Sequence, residues 1–163
     1  MFSENITNQT HTLIKALKER HMKLSAAESC TGGLLCAAIT EIPGSSNVFD
    51  RGYVTYSNDA KIELLTVPTF YITDFGAVSY QTAIAMAEGA LLMSKANISI
   101  SITGVAGPEG GTEDKPVGTV FLACALDGKE TKFEQHMFSG SRRSVRLKTV
   151  EAAMNMLLRR LET

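Results

Sequence analysis

Residues 26–35 read Ala26-Ala27-Glu28-Ser29-Cys30-Thr31-Gly32-Gly33-Leu34-Leu35, and at this stretch one hydrophobic pattern gives way to another. Before it, residues 22–26 alternate apolar and polar side chains, which predicts a half-buried β-strand. After it, apolar side chains recur at helical spacing as far as residue 39, and Thr31 is a suitable N-cap for that helix. The pattern therefore predicts a strand-to-helix turn that carries Ser29.

The small and polar residues of this turn suit two different roles. Gly32 and Gly33 let backbone N–H groups approach a ligand closely, and the free N–H groups at a helix start attract anionic oxygen atoms. The hydroxyl of Ser29 is then either a nucleophile or a helix cap, since small polar residues are common at helix starts for capping alone. The residues of the turn leave both interpretations open.

The composition limits the classes of protein to which the chain can belong. Its 163 residues, 44% of them hydrophobic, suit one domain with a buried core and no second domain. With 16 basic and 17 acidic residues there is no broad basic field, so we expect no nucleic-acid partner. The N-terminus lacks the pattern of a signal peptide, and no apolar run approaches the roughly 20 residues of a membrane span. We therefore expect a cytoplasmic protein without a membrane partner.

The cysteines and histidines do not form a recognisable metal site. The three cysteines lie in apolar segments without a Cys-x-x-Cys pair, so we expect free thiols at Cys30, Cys36 and Cys124. Zinc would need about four ligands at ordered spacing, whereas the three histidines are scattered along the chain. We expect neither a structural metal nor a cofactor.

Helical and strand patterns alternate along the rest of the chain. Apolar periodicity predicts helices over residues 6–21, 34–40, 60–65 and 79–94 and at the C-terminus. Alternating or β-branched segments predict strands over residues 49–56, 98–103, 117–126 and 131–138, the last two joined as a hairpin. Residues 70–76 are predicted to be irregular, and residues 104–112 form a glycine-rich loop, the second candidate binding element. This alternation predicts a single α/β domain.

Two placements of cationic side chains are unusual. Lys61 falls near the start of its short helix, although the helix dipole favours cations in the last turn. Four cations crowd the start of the C-terminal helix, namely Arg142, Arg143, Arg146 and Lys148. A bound anion would compensate this unfavourable arrangement, and solvated surface charge is the alternative.

Four ordered segments resemble the CinA family, specifically its C-terminal domain. They are residues 27–34, the pattern Gly52-x-Val54-x-Tyr56-Ser57-Asn58-x-x-Lys61, residues 76–79, and residues 101–108 together with 115–120. The resemblance covers nearly the whole chain. It implies one three-layer α/β domain over residues 1–163, with a mixed sheet flanked by helices, and a homo-oligomer for which a dimer is favoured.

The family's C-terminal domain also occurs as a stand-alone nicotinamide-mononucleotide deamidase. The resemblance thus implies metal-free hydrolysis of the carboxamide of nicotinamide mononucleotide to nicotinate mononucleotide and ammonia. Carried over by motif, the nucleophile is Ser29, assisted by Lys61 and Tyr56. A serine hydroxyl needs a base to remove its proton, and no histidine lies in the four segments. A lysine whose pKa is lowered by burial can be that base, and a tyrosine can orient or relay the proton.

These segments, together with the start of the last helix at Gly140-Ser141-Arg142, supply the expected contacts to a pyridine nucleotide. We expect substrate-binding residues at Thr31, Gly32, Gly33, Asn58, Thr103, Gly104, Ala106, Gly107, Arg142 and Arg146, with the two arginines facing the phosphate. The oxyanion formed on attack would take N–H donors beside Ser29 or from the 104–107 loop.

Three positions differ from the residues usual in the family. Ser141 replaces Asp, Phe75 replaces Tyr, and Glu113-Asp114 stands where Pro-Glu is commoner. The alternative to the amidase is therefore a non-catalytic nucleotide-binding or regulatory module that has kept the fold. A kinase-like phosphate loop is disfavoured, because neither glycine-rich segment ends in the Gly-Lys-Ser/Thr of a P-loop.

Overall fold

The computed structural model describes residues 2–163. Along the chain it forms α1 (Glu4–Glu19), β1 (Leu24–Glu28), α2 (Leu34–Thr40), β2 (Phe49–Val54), α3 (Asn58–Leu65), α4 (Thr69–Phe75), α5 (Tyr80–Leu92), β3 (Ile98–Gly104), β4 (Thr119–Leu126), β5 (Lys132–Met137) and α6 (Arg142–Leu161). A short 3₁₀ turn, Ser45–Asn47, precedes β2. None of the helices within residues 2–163 has both the length and the apolar character needed to cross a bilayer.

All five strands belong to one mixed sheet, in the order β2-β1-β3-β4-β5. Strand β1 lies between β2 and β3 and pairs in parallel with both, whereas β4 and β5 continue the sheet antiparallel. Parallel neighbours require crossover connections, which α2 and the α3–α5 segment provide. The predicted mixed sheet and the predicted hairpin of the last two strands are confirmed.

Helices cover both faces of the sheet and give the predicted three layers. On one face α1, α2 and α6 pack together over a large core that includes Leu13, Ile100 and Leu157. On the other face α5 lies across β1, β3 and β4, and α3 and α4 pack against α5. This arrangement fixes the carboxyl ends of β1, β2 and β3 at one edge of the sheet, where ligands bind in many open α/β sheets.

Strands β1 and β3 are buried on both faces, whereas the pattern of residues 22–26 predicted a half-buried strand. Three of the polar positions in these strands are serines that face α5. Ser25, Ser99 and Ser101 donate hydrogen bonds to the carbonyl oxygens of Ala90, Ala87 and Ala83, respectively. A small hydroxyl that finds a carbonyl partner can be buried at little cost. The alternation of apolar residues with serine therefore arises from close contact between α5 and the sheet, and not from exposure of one face to water.

The prediction of irregular structure over residues 70–76 is wrong, because residues Thr69–Phe75 form α4. Aromatic and β-branched residues, which have modest helix propensity, dominate this segment. The helix nevertheless forms between Pro68 and Gly76, whose φ of +86° ends it. Tyr71 and Ile72 pack on the cluster beneath α5, so tertiary contacts override local preference here.

Candidate active site

A cavity of about 300 Å³ opens at the carboxyl edge of the parallel strands. The turn after β1, the segment between β2 and α3, the loop after β3 and the start of α6 all contribute to its wall. Its lining comprises Ser29, Cys30, Tyr56, Asn58, Lys61, Ala77, Val78, Thr103, Gly104, Val105, Ala106, Gly107, Glu109, Gly110 and Arg142. The structure thus brings together all three residues expected to be catalytic and six of the ten expected to bind substrate.

Ser29 and Lys61 form a close pair at the bottom of this cavity. Lys61 Nζ lies 3.1 Å from Ser29 Oγ, and the lysine side chain is only 1% exposed. The same Nζ donates to the carbonyl oxygen of Thr55 at 2.9 Å and to those of Tyr56 and Ser57 at 3.3 and 3.4 Å. The amine is therefore held by fixed backbone acceptors and directed at one hydroxyl.

Burial lowers the pKa of Lys61 from its ordinary value, because the charged ammonium loses its hydration. No carboxylate within residues 2–163 forms a salt bridge with it. A neutral amine has two donors and one lone pair. The donors match two of the carbonyl oxygens, and the lone pair is then free to accept the proton of Ser29.

The neighbouring thiol of Cys30 also reaches the cavity, but it is not suited to act as a nucleophile. Burial raises its pKa to about 11. The reactive form of a cysteine is the thiolate, which is scarce at neutral pH for such a thiol. Ser29, with the amine of Lys61 beside it, is the better-activated group.

Glu28 is a buried carboxylate that the sequence analysis did not single out. It is fully buried, and it accepts hydrogen bonds from the backbone N–H groups of Gly33, Leu35 and Cys36. The N-cap of α2 is Gly33, with a φ of +96° and no side-chain cap of its own. Thr31 is therefore not the N-cap, because Glu28 satisfies the first turn of α2. The sequence feature that could have indicated this role of Glu28 is a single acidic residue at the end of a strand of small residues, just before a helix start.

The predicted substrate contacts of the β1–α2 turn need correction. Thr31, Gly32 and Gly33 do not line the cavity. The N–H of Gly32 donates to the carbonyl of Ser29, and that of Gly33 is taken by Glu28. The N–H groups of Gly32 and Gly33 therefore stabilise the turn and are not available to an anion.

Arg146 is also turned away from the cavity, in contrast to Arg142. Its guanidinium donates to the carbonyl oxygen of Thr31 at 2.8 Å. One helical turn separates the two arginines on α6, and this offset is enough to place only Arg142 on the cavity wall. The prediction that both arginines contact substrate is therefore corrected to Arg142 alone.

Tyr56 contacts Lys61 and Arg142 through different atoms. Its backbone carbonyl holds Lys61, whereas its hydroxyl accepts a hydrogen bond from Arg142 Nη2 at 2.9 Å. Arg142 Nη1 donates to the carbonyl of Gly107 at 2.8 Å. The expectation that the Tyr56 hydroxyl lies between or beside Ser29 and Lys61 is not met in this structure, since the hydroxyl is directed toward the start of α6.

Three residues that line the cavity have backbone N–H groups without a backbone acceptor in the described part of the chain. The N–H groups of Cys30, Ala106 and Gly107 donate to no backbone carbonyl among residues 2–163. Thr103 lines the cavity as well, but its hydroxyl donates to the carbonyl of Ala77. The free donors thus come from the residue after Ser29 and from the glycine-rich loop.

A larger groove of about 510 Å³ lies elsewhere, between the end of α5 and the β4–β5 turn. None of the expected catalytic or substrate-binding residues lines it. Across residues 2–163, no three His, Cys, Asp or Glu side chains gather in a metal-binding arrangement. The smaller cavity at Ser29 is the one in which the expected nucleophile and the expected base meet.

Comparison with known proteins assigns the chain to a family. The model of the CinA C-terminal domain matches residues 6–161. The chain belongs to the CinA family. A CinA-like protein of Syntrophus aciditrophicus is 51% identical over 146 residues, which are 89% of this chain and 34% of that protein. This CinA domain spans little more than a third of the length of the curated relatives that it matches.

Solved structures of the family superpose on this CinA domain over almost its full length. The competence/damage inducible protein CihA from Agrobacterium tumefaciens has a TM-score of 0.97 and 44% identity, covering 100% of this chain and 99% of that one. The competence damage-inducible protein A from Klebsiella pneumoniae has a TM-score of 0.94 and 35% identity, with 98% of each chain covered. The three-layer fold predicted from the sequence is confirmed.

One departure from the family pattern has a simple structural explanation. Ser141 is the N-cap of α6, and its side chain accepts a hydrogen bond from the N–H of Ser144. Serine and aspartate are both good N-cap residues. The exchange therefore keeps the start of the helix that carries Arg142.

Proposed function

We propose that this CinA domain hydrolyses the carboxamide of nicotinamide mononucleotide to nicotinate mononucleotide and ammonia. One observation carries the proposal, namely the buried contact of 3.1 Å between Lys61 Nζ and Ser29 Oγ at the bottom of a cavity of about 300 Å³. A serine beside a desolvated lysine is an activated nucleophile. The family resemblance supplies the substrate.

The reaction would begin with attack of Ser29 Oγ on the carboxamide carbon. The proton of the hydroxyl passes to the neutral amine of Lys61, and the carbonyl oxygen becomes an oxyanion. On collapse of this tetrahedral intermediate, the ammonium of Lys61 returns the proton to the departing nitrogen, which leaves as ammonia. Water then attacks the acyl-serine ester and gives a proton to Lys61. The bond between the acyl carbon and Ser29 Oγ breaks, Lys61 returns the proton to Oγ, and the product leaves as a carboxylate.

The developing oxyanion needs donors that are fixed before the reaction. The N–H of Cys30 directly follows the nucleophile, and those of Ala106 and Gly107 lie in the loop that borders the same cavity. These N–H groups have no backbone acceptor among residues 2–163. We propose that the oxyanion lies between Cys30 and this loop, so both elements considered from the sequence take part.

Arg142 is the proposed ligand of the substrate phosphate. It lies at the first position of α6, where backbone N–H groups and the helix dipole also favour an anion. Its planar guanidinium can bind phosphate through two parallel hydrogen bonds. A bound phosphate would also offset the excess of cations at this helix start.

The expected homo-oligomer, with a dimer favoured, stays a prediction.

The direct test is incubation of the purified protein with nicotinamide mononucleotide, with ammonia and nicotinate mononucleotide measured in the same samples. We expect equal amounts of the two products, and no product from the Ser29→Ala variant. Binding of the nucleotide without turnover would contradict the amidase and support the non-catalytic nucleotide-binding module. Turnover that persists in Ser29→Ala would contradict the assigned nucleophile.

A further inference from the structure

The hydroxyl of Tyr56 is held away from the nucleophile by the residue that should bind the substrate phosphate. Arg142 donates one N–H to Tyr56 Oη at 2.9 Å and another to the carbonyl of Gly107 at 2.8 Å. These two hydrogen bonds form a link from Tyr56, in the segment after β2, through Arg142 to Gly107 in the glycine-rich loop. In the structure the guanidinium gives one N–H of each terminal nitrogen, two of its five donors, to these acceptors.

Both acceptors in this link are neutral, whereas a phosphate is an anion. A phosphate adds Coulombic attraction to its hydrogen bonds with the guanidinium and can accept two parallel N–H groups, whereas a neutral hydroxyl offers neither advantage. A phosphate that reaches Arg142 would therefore displace the Tyr56 hydroxyl from it. The ring of Tyr56 is 59% exposed, so a change of rotamer does not require repacking of a core.

The backbone of Tyr56 limits where its released side chain can go. The carbonyl oxygen of Tyr56 remains 3.3 Å from Lys61 Nζ, so the residue stays anchored at the base of the site. Tyr56, Ser29 and Lys61 all line the same cavity. A rotamer that turns the ring inward brings the hydroxyl toward the reacting groups.

We propose that the substrate phosphate activates the site by taking Arg142 from Tyr56, which frees the Tyr56 hydroxyl to turn toward Ser29 and Lys61. The inference rests on the proposed amidase and adds a role for the phosphate beyond binding. It makes the phosphate a contributor to the chemical step, because the proton relay is completed only when the anion is bound. A nucleoside without phosphate leaves the link in place.

The kinetic test compares nicotinamide mononucleotide with nicotinamide riboside, in the absence and presence of phosphite dianion as a separate activator. We expect a kcat for the riboside at least about tenfold below that for the nucleotide, and a saturable rise of that kcat with phosphite. In Arg142→Gln the two kcat values should converge, and phosphite should have no effect. The matched control is Arg143→Gln, because Arg143 neighbours Arg142 in sequence but does not line the cavity. This variant should keep the difference between substrates and the stimulation.

A role of Arg142 in binding alone gives a different result. The riboside would then differ from the nucleotide in KM with an equal kcat, and phosphite would not stimulate its turnover. That outcome overturns the inference and leaves the proposed amidase intact. Absence of nucleotide turnover, in contrast, overturns the proposed amidase. The exchange of Tyr56 for phosphate at Arg142 is then tested by a measurement that does not depend on catalysis.

Fluorine NMR of protein labelled with 3-fluorotyrosine provides that measurement. Loss of one resonance in Tyr56→Phe assigns the signal of Tyr56. Titration with inorganic phosphate should move this signal in the otherwise unchanged protein and in Arg143→Gln, but not in Arg142→Gln. A Tyr56 signal that does not respond to phosphate overturns the exchange, whatever the activity of the protein.

Discussion

Lys61 Nζ and Ser29 Oγ lie 3.1 Å apart although the two residues are separated by 32 positions in the sequence. The parallel pairing of β1 with β2 causes this contact, because it sets Glu28 opposite Val54. Ser29 directly follows Glu28, and residues 55–60, which lead to Lys61, directly follow Val54. The side chains then meet at the edge of the sheet where both strands end.

Replacement of Ser29 by alanine should abolish ammonia release while it leaves stability almost unchanged. The hydroxyl does not cap α2, and its only side-chain partner is Lys61, which keeps three carbonyl acceptors. We expect the free energy of unfolding to change by less than about 1 kcal/mol. Chemical denaturation and the ammonia assay on the same preparation measure both quantities.

Ser3→Ala should show the opposite behaviour and serves as the control. The side chain of Ser3 caps α1 by accepting from the N–H of Ile6, and Ser3 does not line the cavity. Loss of such a cap costs about 1 kcal/mol, and turnover should be retained. Loss of stability with normal turnover in Ser29→Ala would show that this serine is structural.

The rate of the proposed hydrolysis should rise with pH through the titration of Lys61. Only the neutral amine can accept the proton of Ser29, and burial lowers the pKa of Lys61 below its ordinary value. The midpoint of this limb should therefore lie below about 10.4. Lys61→Met removes the base, and Lys61→Arg replaces it with a guanidinium that stays protonated. Near-normal turnover and an unchanged pH profile in Lys61→Met would rule out Lys61 as the base.

The same lysine should make stability depend on pH in a defined direction. Between its lowered folded pKa and about 10.4, the unfolded chain binds a proton that the folded protein lacks, so stability rises with pH across this window. Below the folded pKa both states are protonated and the slope vanishes. The stability of the unsubstituted protein relative to Lys61→Met should therefore increase across this window. Urea unfolding at several pH values measures the difference, with Lys15→Met on the exposed face of α1 as control.

Removal of the Glu28 carboxylate should destabilise the fold. Glu28→Ala leaves the N–H groups of Gly33, Leu35 and Cys36 without their acceptor. A buried donor without a partner costs about 1–3 kcal/mol, so we expect a total loss of roughly 3 kcal/mol after partial compensation by water. Thermal and urea unfolding report the change. Glu41→Ala, exposed at the other end of α2, should be nearly neutral.

A change from glycine to alanine at position 89 should be unfavourable although the residue lies within a helix. Alanine normally stabilises a helix interior relative to glycine by about 1 kcal/mol. A Cβ at Gly89 would lie only 2.0 Å from the carbonyl oxygen of Leu65, at the end of α3. We expect Gly89→Ala to lose about 1–3 kcal/mol through overpacking and to displace the helix that carries Lys61. Unchanged stability and turnover would show that α3 adapts freely.

Much of the architecture is determined by local sequence. Apolar periodicity identifies the helices that flank the sheet, and the pattern of residues 22–35 places Ser29 on a strand-to-helix turn, since each pattern depends on neighbouring residues only. The hairpin of β4 and β5 follows from two β-rich segments around Asp127-Gly128 in the same way. Family motifs identify Ser29, Tyr56 and Lys61, but they do not give the partners of these side chains.

Only the tertiary structure decides those partners, because they depend on contacts between segments distant in sequence. Parallel pairing of β1 and β2 buries Lys61 and sets it against Ser29, and this burial is what lowers its pKa. The offset of one turn along α6 leaves Arg142 on the cavity wall and Arg146 against Thr31. The fully buried carboxylate of Glu28 accepts hydrogen bonds from the N–H groups at the start of α2, which were expected from the sequence to bind a ligand. Each outcome follows from the position of a side chain relative to another element, which local periodicity cannot specify.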